Sequence, residues 1–301
     1  MMSLPQSIKI VEVSPRDGLQ NESQVIAVND KVQLINDLRT AGVKHIEVTG
    51  FVSPKWVPQL ADAQEVARQL APDEDVVYSA LTPNMKGFEA AMDSGIKEVA
   101  VFTAASETFN QKNINCSIEE SFERFAPILE QAKQQNIKVR GYVSCVLGCP
   151  YEGDIDSEQV AAVSEKLFAM GCYEISLGDT IGVGTPLKAQ RMFAQVAKRI
   201  PTNSLAVHFH DTYGQALANI LACIQEGARI IDASVAGLGG CPYAPGASGN
   251  VSTEDVVYML HGMDIKTGID LDKLITAGQN ISKVLGRSVN SKVANACRSS
   301  S

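Results

Sequence analysis

His208-Phe-His-Asp211 closes an apolar run that begins at Ser204, and this stretch decides how the chain is read. The run Ser204 to Val207 suits a buried strand. Successive side chains of a strand point to opposite faces, so His208 and His210 project from the same one. Imidazoles side by side suit a divalent metal. Two other stretches have the same form. Val13-Ser-Pro-Arg-Asp-Gly-Leu-Gln-Asn-Glu22 follows the strand-like Ile8–Val13. Gly237-Leu-Gly-Gly-Cys-Pro-Tyr-Ala-Pro-Gly-Ala-Ser-Gly-Asn250 follows Ile230–Val235. If these three strand ends meet, they build a metal site with a thiol beside it.

Strand-like runs also recur at His45–Thr49, Val76–Leu81, Glu98–Thr103, Lys138–Ser144 and Tyr173–Leu177. Helical stripes lie between them: Val32, Leu34, Ile35 and Leu38 before the second strand, and Phe122, Phe125, Ile128 and Leu129 before the fifth. Gly42, Gly95, Gly171 and Gly227 each stand shortly before a strand, where a left-handed residue closes a helix. Eight strands alternating with helices predict an α/β fold, a closed parallel (β/α)8 TIM barrel. A doubly wound open sheet is the structural alternative. It usually carries a glycine fingerprint after its first strand, where this chain has Arg16-Asp17-Gly18. No linker divides the chain, so residues 1–301 are expected to form one barrel domain. Its core is expected at about 7–265, with a small C-terminal helical extension at about 269–301.

The 301 residues are 45% hydrophobic, enough for the core of such a barrel. A net charge of −8 argues against nucleic acid as a partner. No apolar run approaches the roughly 20 residues of a membrane span. Met1–Gln6 is short and polar, so no secretory leader is expected. Seven cysteines without a C-x-x-C spacing fit a reducing compartment, and a cytoplasmic location is expected. Cys172 and Cys223 are expected to be packing residues, and Cys297 an accessible thiol in a mobile tail.

In a TIM barrel the active site lies at the C-terminal ends of the strands. Closure makes strand eight the neighbour of both seven and one, so Asp17, His208, His210 and Asn250 are expected to meet. Carboxylate, two imidazoles and an amide oxygen form a hard-to-borderline donor set consistent with Mg2+, Mn2+ or Zn2+. Arg16 offers a planar fork to a carboxylate or enolate-like oxygen, or else a structural salt bridge. Glu47 shares a strand face with His45 and Thr49; pointing inward it needs a cation, and Arg16 is the evident partner. Glu47 is then catalytic or orients Arg16, with orientation the better fit. Asp179 ends strand six. Thr185-Pro186 marks the following helix start, which leaves Asp179 for acid–base work rather than capping. Cys241 lies among Gly237, Gly239, Gly240, Gly246 and Gly249, a composition suited to a mobile lid.

Arg16-Asp17-Gly18 and His208-x-His210 are shared with the metal-dependent barrel superfamily that also holds isopropylmalate and homocitrate synthases. More specific are residues 12–22, Phe51-Val-Ser-Pro-Lys-Trp-Val-Pro-Gln59, Gly148-Cys-Pro-Tyr-Glu-Gly153 and the loop 237–250 with its cysteine. Through these the chain resembles the 3-hydroxy-3-methylglutaryl-CoA lyases over essentially its whole length. The resemblance implies metal-dependent retro-Claisen cleavage of that acyl-CoA to acetyl-CoA and acetoacetate, as in leucine catabolism or ketogenesis. It implies Mg2+ or Mn2+ on Asp17, His208, His210 and Asn250, and catalysis by Arg16, Asp179 and Cys241 with Glu47 in support. Lys112, Asn113 and Asn115 match a segment on the CoA side of the site, and a homodimer is implied. Asp179 or a metal-linked histidine would take the hydroxyl proton, Arg16 would stabilise the enolate oxygen, and Cys241 would protonate the enolate carbon. The rival reading is an acetyl-CoA:2-oxo acid condensing enzyme on the same barrel. It lacks the Cys241 loop motif and usually carries a longer C-terminal region.

Overall fold

The computed structural model describes residues 4–240 and 249–298. Eight strands form a closed barrel in sequence order: β1 Lys9–Glu12, β2 His45–Gly50, β3 Val77–Leu81, β4 Glu98–Ala104, β5 Lys138–Ser144, β6 Glu174–Asp179, β7 Leu205–Phe209 and β8 Ile230–Ala233. Every pairing is parallel, and β1 closes on β8 with Val11 opposite Asp232 and Glu12 opposite Ala233. The closed alternative is therefore the one adopted. β7 runs on past its apolar stretch to Phe209, and His210 leaves the ladder to form an isolated bridge with Asn250. β8 stops at Ala233, and the chain turns at Val235–Gly237 with Ala236 at φ 58°.

Between strands run α1 Val28–Thr40, α2 Ala63–Gln69, α3 Met85–Asp93, α4 Glu107–Ile114, α5 Ile118–Gln134, α6 Ser157–Ala169, α7 Pro186–Ala197 and α8 Ala216–Gln225. Local sequence explains their starts. Ser117 and Glu120 form a reciprocal capping box on α5, and Pro186 occupies the first turn of α7. Phe122, Phe125, Ile128 and Leu129 all face the core from α5. Gly42, Gly95, Gly171 and Gly227 adopt positive φ before the strands they precede.

Past the barrel lie α9 Thr253–Gly262, α10 Leu271–Val284 and α11 Lys292–Arg298. α10 packs on α1, where Asp270 N donates to Ala41 O at 2.8 Å and Asn280 Nδ2 to Asp37 Oδ2 at 2.9 Å. Cys297 is exposed as expected but sits on helix α11, because Asp255 accepts from Lys292 N and Val293 N and so secures the start of that helix. Among the described residues no helix is long and apolar enough to cross a membrane.

The α1–α10 contact depends on a glycine. Gly42 has φ 94°, and a Cβ there would lie 2.5 Å from the Gly268 carbonyl oxygen. Gly95 has φ 84° with nothing within 4 Å of its would-be Cβ. Gly95→Ala is expected to cost about 1 kcal/mol for the left-handed backbone alone. Gly42→Ala must also move a backbone, and is expected to cost about 3 kcal/mol. Urea unfolding midpoints of the two variants check the difference.

Candidate active site

The floor of the site is a run of charges inside the barrel. Lys9 Nζ pairs with Glu174 Oε2, and Glu174 Oε1 accepts from Arg140 Nε at 2.7 Å. Arg140 then grips Asp232 with two bonds, Nη1 to Oδ2 at 2.8 Å and Nη2 to Oδ1 at 2.7 Å. Asp232 Oδ2 also accepts from Ser176 Oγ at 2.7 Å and lies 3.2 Å from His208 Nδ1. These residues come from β1, β5, β6, β7 and β8, whose inward positions the barrel stacks one above another.

At the C-terminal mouth, ligand-type atoms of Asp17, His208 and His210 all lie within 4.8 Å of one another. His208 Nε2 is 3.8 Å from Asp17 Oδ2. Asp17 sits in a helical turn, Ser14–Gly18, directly after β1. Burial alone would raise its pKa, but Arg16 and the two histidines outweigh that and hold it down at about 2. His210 is pushed down to about 4 by burial and by its neighbour His208, so it is neutral at pH 7, and its buried Nδ1 has no hydrogen bond. Asn250 Nδ2 donates to Asp17 Oδ2 at 2.8 Å and to Leu238 O at 3.2 Å. Two oxygens around that nitrogen fix the amide's orientation.

Arg16 is buried. Its Nε donates to Glu47 Oε2 at 2.6 Å, its Nη1 to Asp17 Oδ1 at 2.5 Å, and its guanidinium carbon lies 5.5 Å from the Tyr142 ring centre. Glu47 does point inward from β2, and its Oε1 has no hydrogen bond. Asp179 ends β6 in the outward register of Ile175 and Leu177. Its Oδ2 accepts from Gly184 N at 2.8 Å, its Oδ1 is buried without a hydrogen bond, and burial pushes its pKa up to about 6. The structure thus brings Arg16, Asp17, Glu47, His208, His210 and Asn250 together, and places Asp179 beside the β6–α7 loop.

Lys112 and Asn113 lie in the last turn of α4, and Asn115 caps it at φ 53°. Lys112 Nζ stands 4.4 Å over the Tyr151 ring; among the described residues no hydrogen bond joins these three to the ligand cluster. Cys241 lies outside the described residues.

Asp232 and Arg140 are the inner residues that sequence reasoning passed over. The signal was a carboxylate within the apolar run Ile230-Ile-Asp-Ala233, at the register opposite His208. Glu12 was also passed over. Its carboxylate accepts from Ser14 N, Val235 N and Thr253 Oγ1, tying β1 to the turn after β8 and to the start of α9.

A parallel barrel with a carboxylate and two imidazoles converging at its C-terminal mouth defines the class of metal-assisted barrel enzymes. The HMGL-like family model matches residues 7–281, and the chain belongs to that family. It is 60% identical over 295 residues to a 3-hydroxy-3-isohexenylglutaryl-CoA/hydroxy-methylglutaryl-CoA lyase of Pseudomonas aeruginosa, covering 98% of each chain. It is 59% identical to the mitochondrial hydroxymethylglutaryl-CoA lyase of Gallus gallus, covering 98% of this chain and 100% of that one. The crystal structure of a hydroxymethylglutaryl-CoA lyase from Pseudomonas aeruginosa superposes with a TM-score of 0.97 at 59% identity, covering 99% of both chains.

The Arg16–Glu47 pair yields a stability prediction. Glu47→Ala strands a buried guanidinium that keeps only Asp17 as counter-charge. Breaking such a pair is expected to cost about 3 kcal/mol, measured as a fall in the denaturant midpoint at constant slope.

Proposed function

We propose that this chain cleaves 3-hydroxy-3-methylglutaryl-CoA to acetyl-CoA and acetoacetate. The observation that carries this reading is the Asp17, His208 and His210 cluster at the mouth of a barrel whose full-length relatives bear that activity in their names. A solved HMG-CoA lyase from Acinetobacter baumannii, 40% identical with a TM-score of 0.93, is in complex with coenzyme A and 3-methylmalate, which supports an acyl-CoA substrate here.

The donors fit a divalent cation. Asp17 is ionised, His210 is neutral with a buried nitrogen lacking a partner, and the Asn250 amide stands against Asp17 Oδ2 at 2.8 Å. Held by Asp17, His208, His210 and Asn250, Mg2+ or Mn2+ supplies Lewis acidity that makes a tertiary hydroxyl easier to ionise.

The chain's own groups then divide the work. Asp179 or a metal-linked histidine accepts the hydroxyl proton; Asp179, outside the ligand cluster, offers an oxygen, Oδ1, that has no hydrogen bond, and Glu47 is committed to Arg16. The C2–C3 bond breaks, its electron pair passes to C2, and the alkoxide becomes the ketone of acetoacetate. Arg16, held in place by Glu47 and protonated throughout, stabilises the thioester enolate oxygen. Cys241 returns a proton to C2, and Lys112, Asn113 and Asn115 serve the CoA side. The compartment we propose is the reducing cytoplasm, since all six described cysteines are free.

The deciding assay is acetoacetate release from 3-hydroxy-3-methylglutaryl-CoA with Mn2+ and again with a chelator. Release that the chelator abolishes and Mn2+ restores is expected; no release from protein shown to hold metal would overturn the reading. The 3-isohexenyl analogue belongs beside it as a second substrate.

With Asp179 as the base, its protonation sets the pH dependence. A base must be unprotonated, and burial sets this one at about 6. kcat/KM is expected to fall tenfold per pH unit below about 6 and to level above it. Asp179→Asn is expected to lose about 100-fold or more in kcat while retaining Mn2+ binding. An unaltered acid limb in that variant would remove Asp179 from proton transfer.

A further inference from the structure

We infer that Asp232 is a positioning residue: it fixes the proton of His208 on Nδ1, so that the Nε2 lone pair is presented toward Asp17. This deepens the metal-site reading above and rests on it.

Donors surround Asp232. Both of its oxygens accept from Arg140, and Oδ2 accepts from Ser176 as well. All of these neighbours are donors, and a bidentate guanidinium keeps the carboxylate ionised. An ionised carboxylate has no proton to give. The 3.2 Å contact with His208 Nδ1 is therefore a hydrogen bond in one direction only, from imidazole to carboxylate. In a neutral imidazole one nitrogen donates and the other accepts, so a proton on Nδ1 leaves the lone pair on Nε2. Nε2 is the nitrogen that stands 3.8 Å from Asp17 Oδ2.

The arrangement is set by backbone as well as side chains. His208 and Asp232 are direct cross-strand partners of β7 and β8, so barrel register fixes their spacing. Arg140 is steadied in turn by Glu174 Oε1 at 2.7 Å and by the Tyr142 hydroxyl at 2.9 Å. His210 has no carboxylate in the corresponding place, and its Nδ1 is buried. The two imidazoles thus differ: His208 is oriented by a carboxylate, and His210 has no carboxylate at its Nδ1.

The test begins with metal-free wild-type protein carrying isotopically labelled histidine, read by long-range proton–nitrogen correlation. The chain has 4 histidines, so His208→Gln identifies the relevant signals by their loss. Read at alkaline pH, where the imidazolium flanked by Asp17 and Asp232 has lost one proton, the expected result is a His208 that keeps its proton on Nδ1. Asp232→Ala alone would strand Arg140, so the companion variant is Arg140→Met with Asp232→Ala. It is expected to fold, to lose the fixed tautomer, and to bind Mn2+ about 10–100-fold more weakly by calorimetry. A wild-type proton on Nε2, or unchanged Mn2+ affinity in the folded double variant, would overturn the inference. Should that variant not fold, the wild-type spectrum decides. Failure of wild-type protein to bind Mn2+ would instead sink the metal-site reading, and the tautomer would still be read from the same metal-free sample.

Discussion

Arg140 is 2% exposed in the middle of a closed barrel, and much of the interior answers to it. A guanidinium does not lose its proton inside a protein, so a buried one must be met by carboxylates. Glu174 meets it from below and Asp232 from above. Glu174 in turn receives Lys9, and Asp232 receives Ser176 and His208. Apolar side chains in their place would pack at least as stably. What the charges add is direction: each donor and acceptor admits one orientation of its neighbour, and the last neighbour in the run is a candidate metal ligand.

The mouth repeats this economy with fewer groups. Arg16 is shared between Glu47 and Asp17, so a single guanidinium orders a carboxylate on β2 and one just beyond β1. Asn250 joins Asp17 to the Leu238 carbonyl, which couples the first strand end to the root of the loop that follows β8. Below that root, Glu12 and Glu254 spend their carboxylate oxygens on backbone amides at 235 and 236, holding the left-handed Ala236 in its turn. The chain's overall negative charge says nothing of this, because two carboxylates and a guanidinium set the local field at the mouth.

Periodicity made the barrel legible. Strands buried on both faces read as apolar runs, and the glycines at 42, 95, 171 and 227 mark helix ends because only glycine takes that backbone freely. Inward-facing Glu47 was legible too, since Ile46 and Val48 take the face that packs on helices and leave the carboxylate the barrel interior. Asp232 carried the same signal and was passed over, because its partner Arg140 lies three strands away and no local pattern connects them. Asp179 shows a different gap. Its place at the end of β6 was readable, but the outward register and the grip of Gly184 N depend on where the strand stops and how the loop turns back. Loop geometry of that kind is decided by tertiary contacts rather than composition.

The closing seam joins strands that are far apart along the chain. β1 at residues 9–12 pairs with β8 at residues 230–233, and Ser7 bridges to Lys266. During synthesis the first strand leaves the ribosome long before its second partner exists. Asp17 and Arg16 therefore wait on an open sheet edge while the histidine side of the site is still being made. Pairing over so long a separation is slow to form, and an unpaired edge is open to other chains meanwhile. The joint that assembles the candidate metal site is thus also where a nascent chain would have most need of a chaperone.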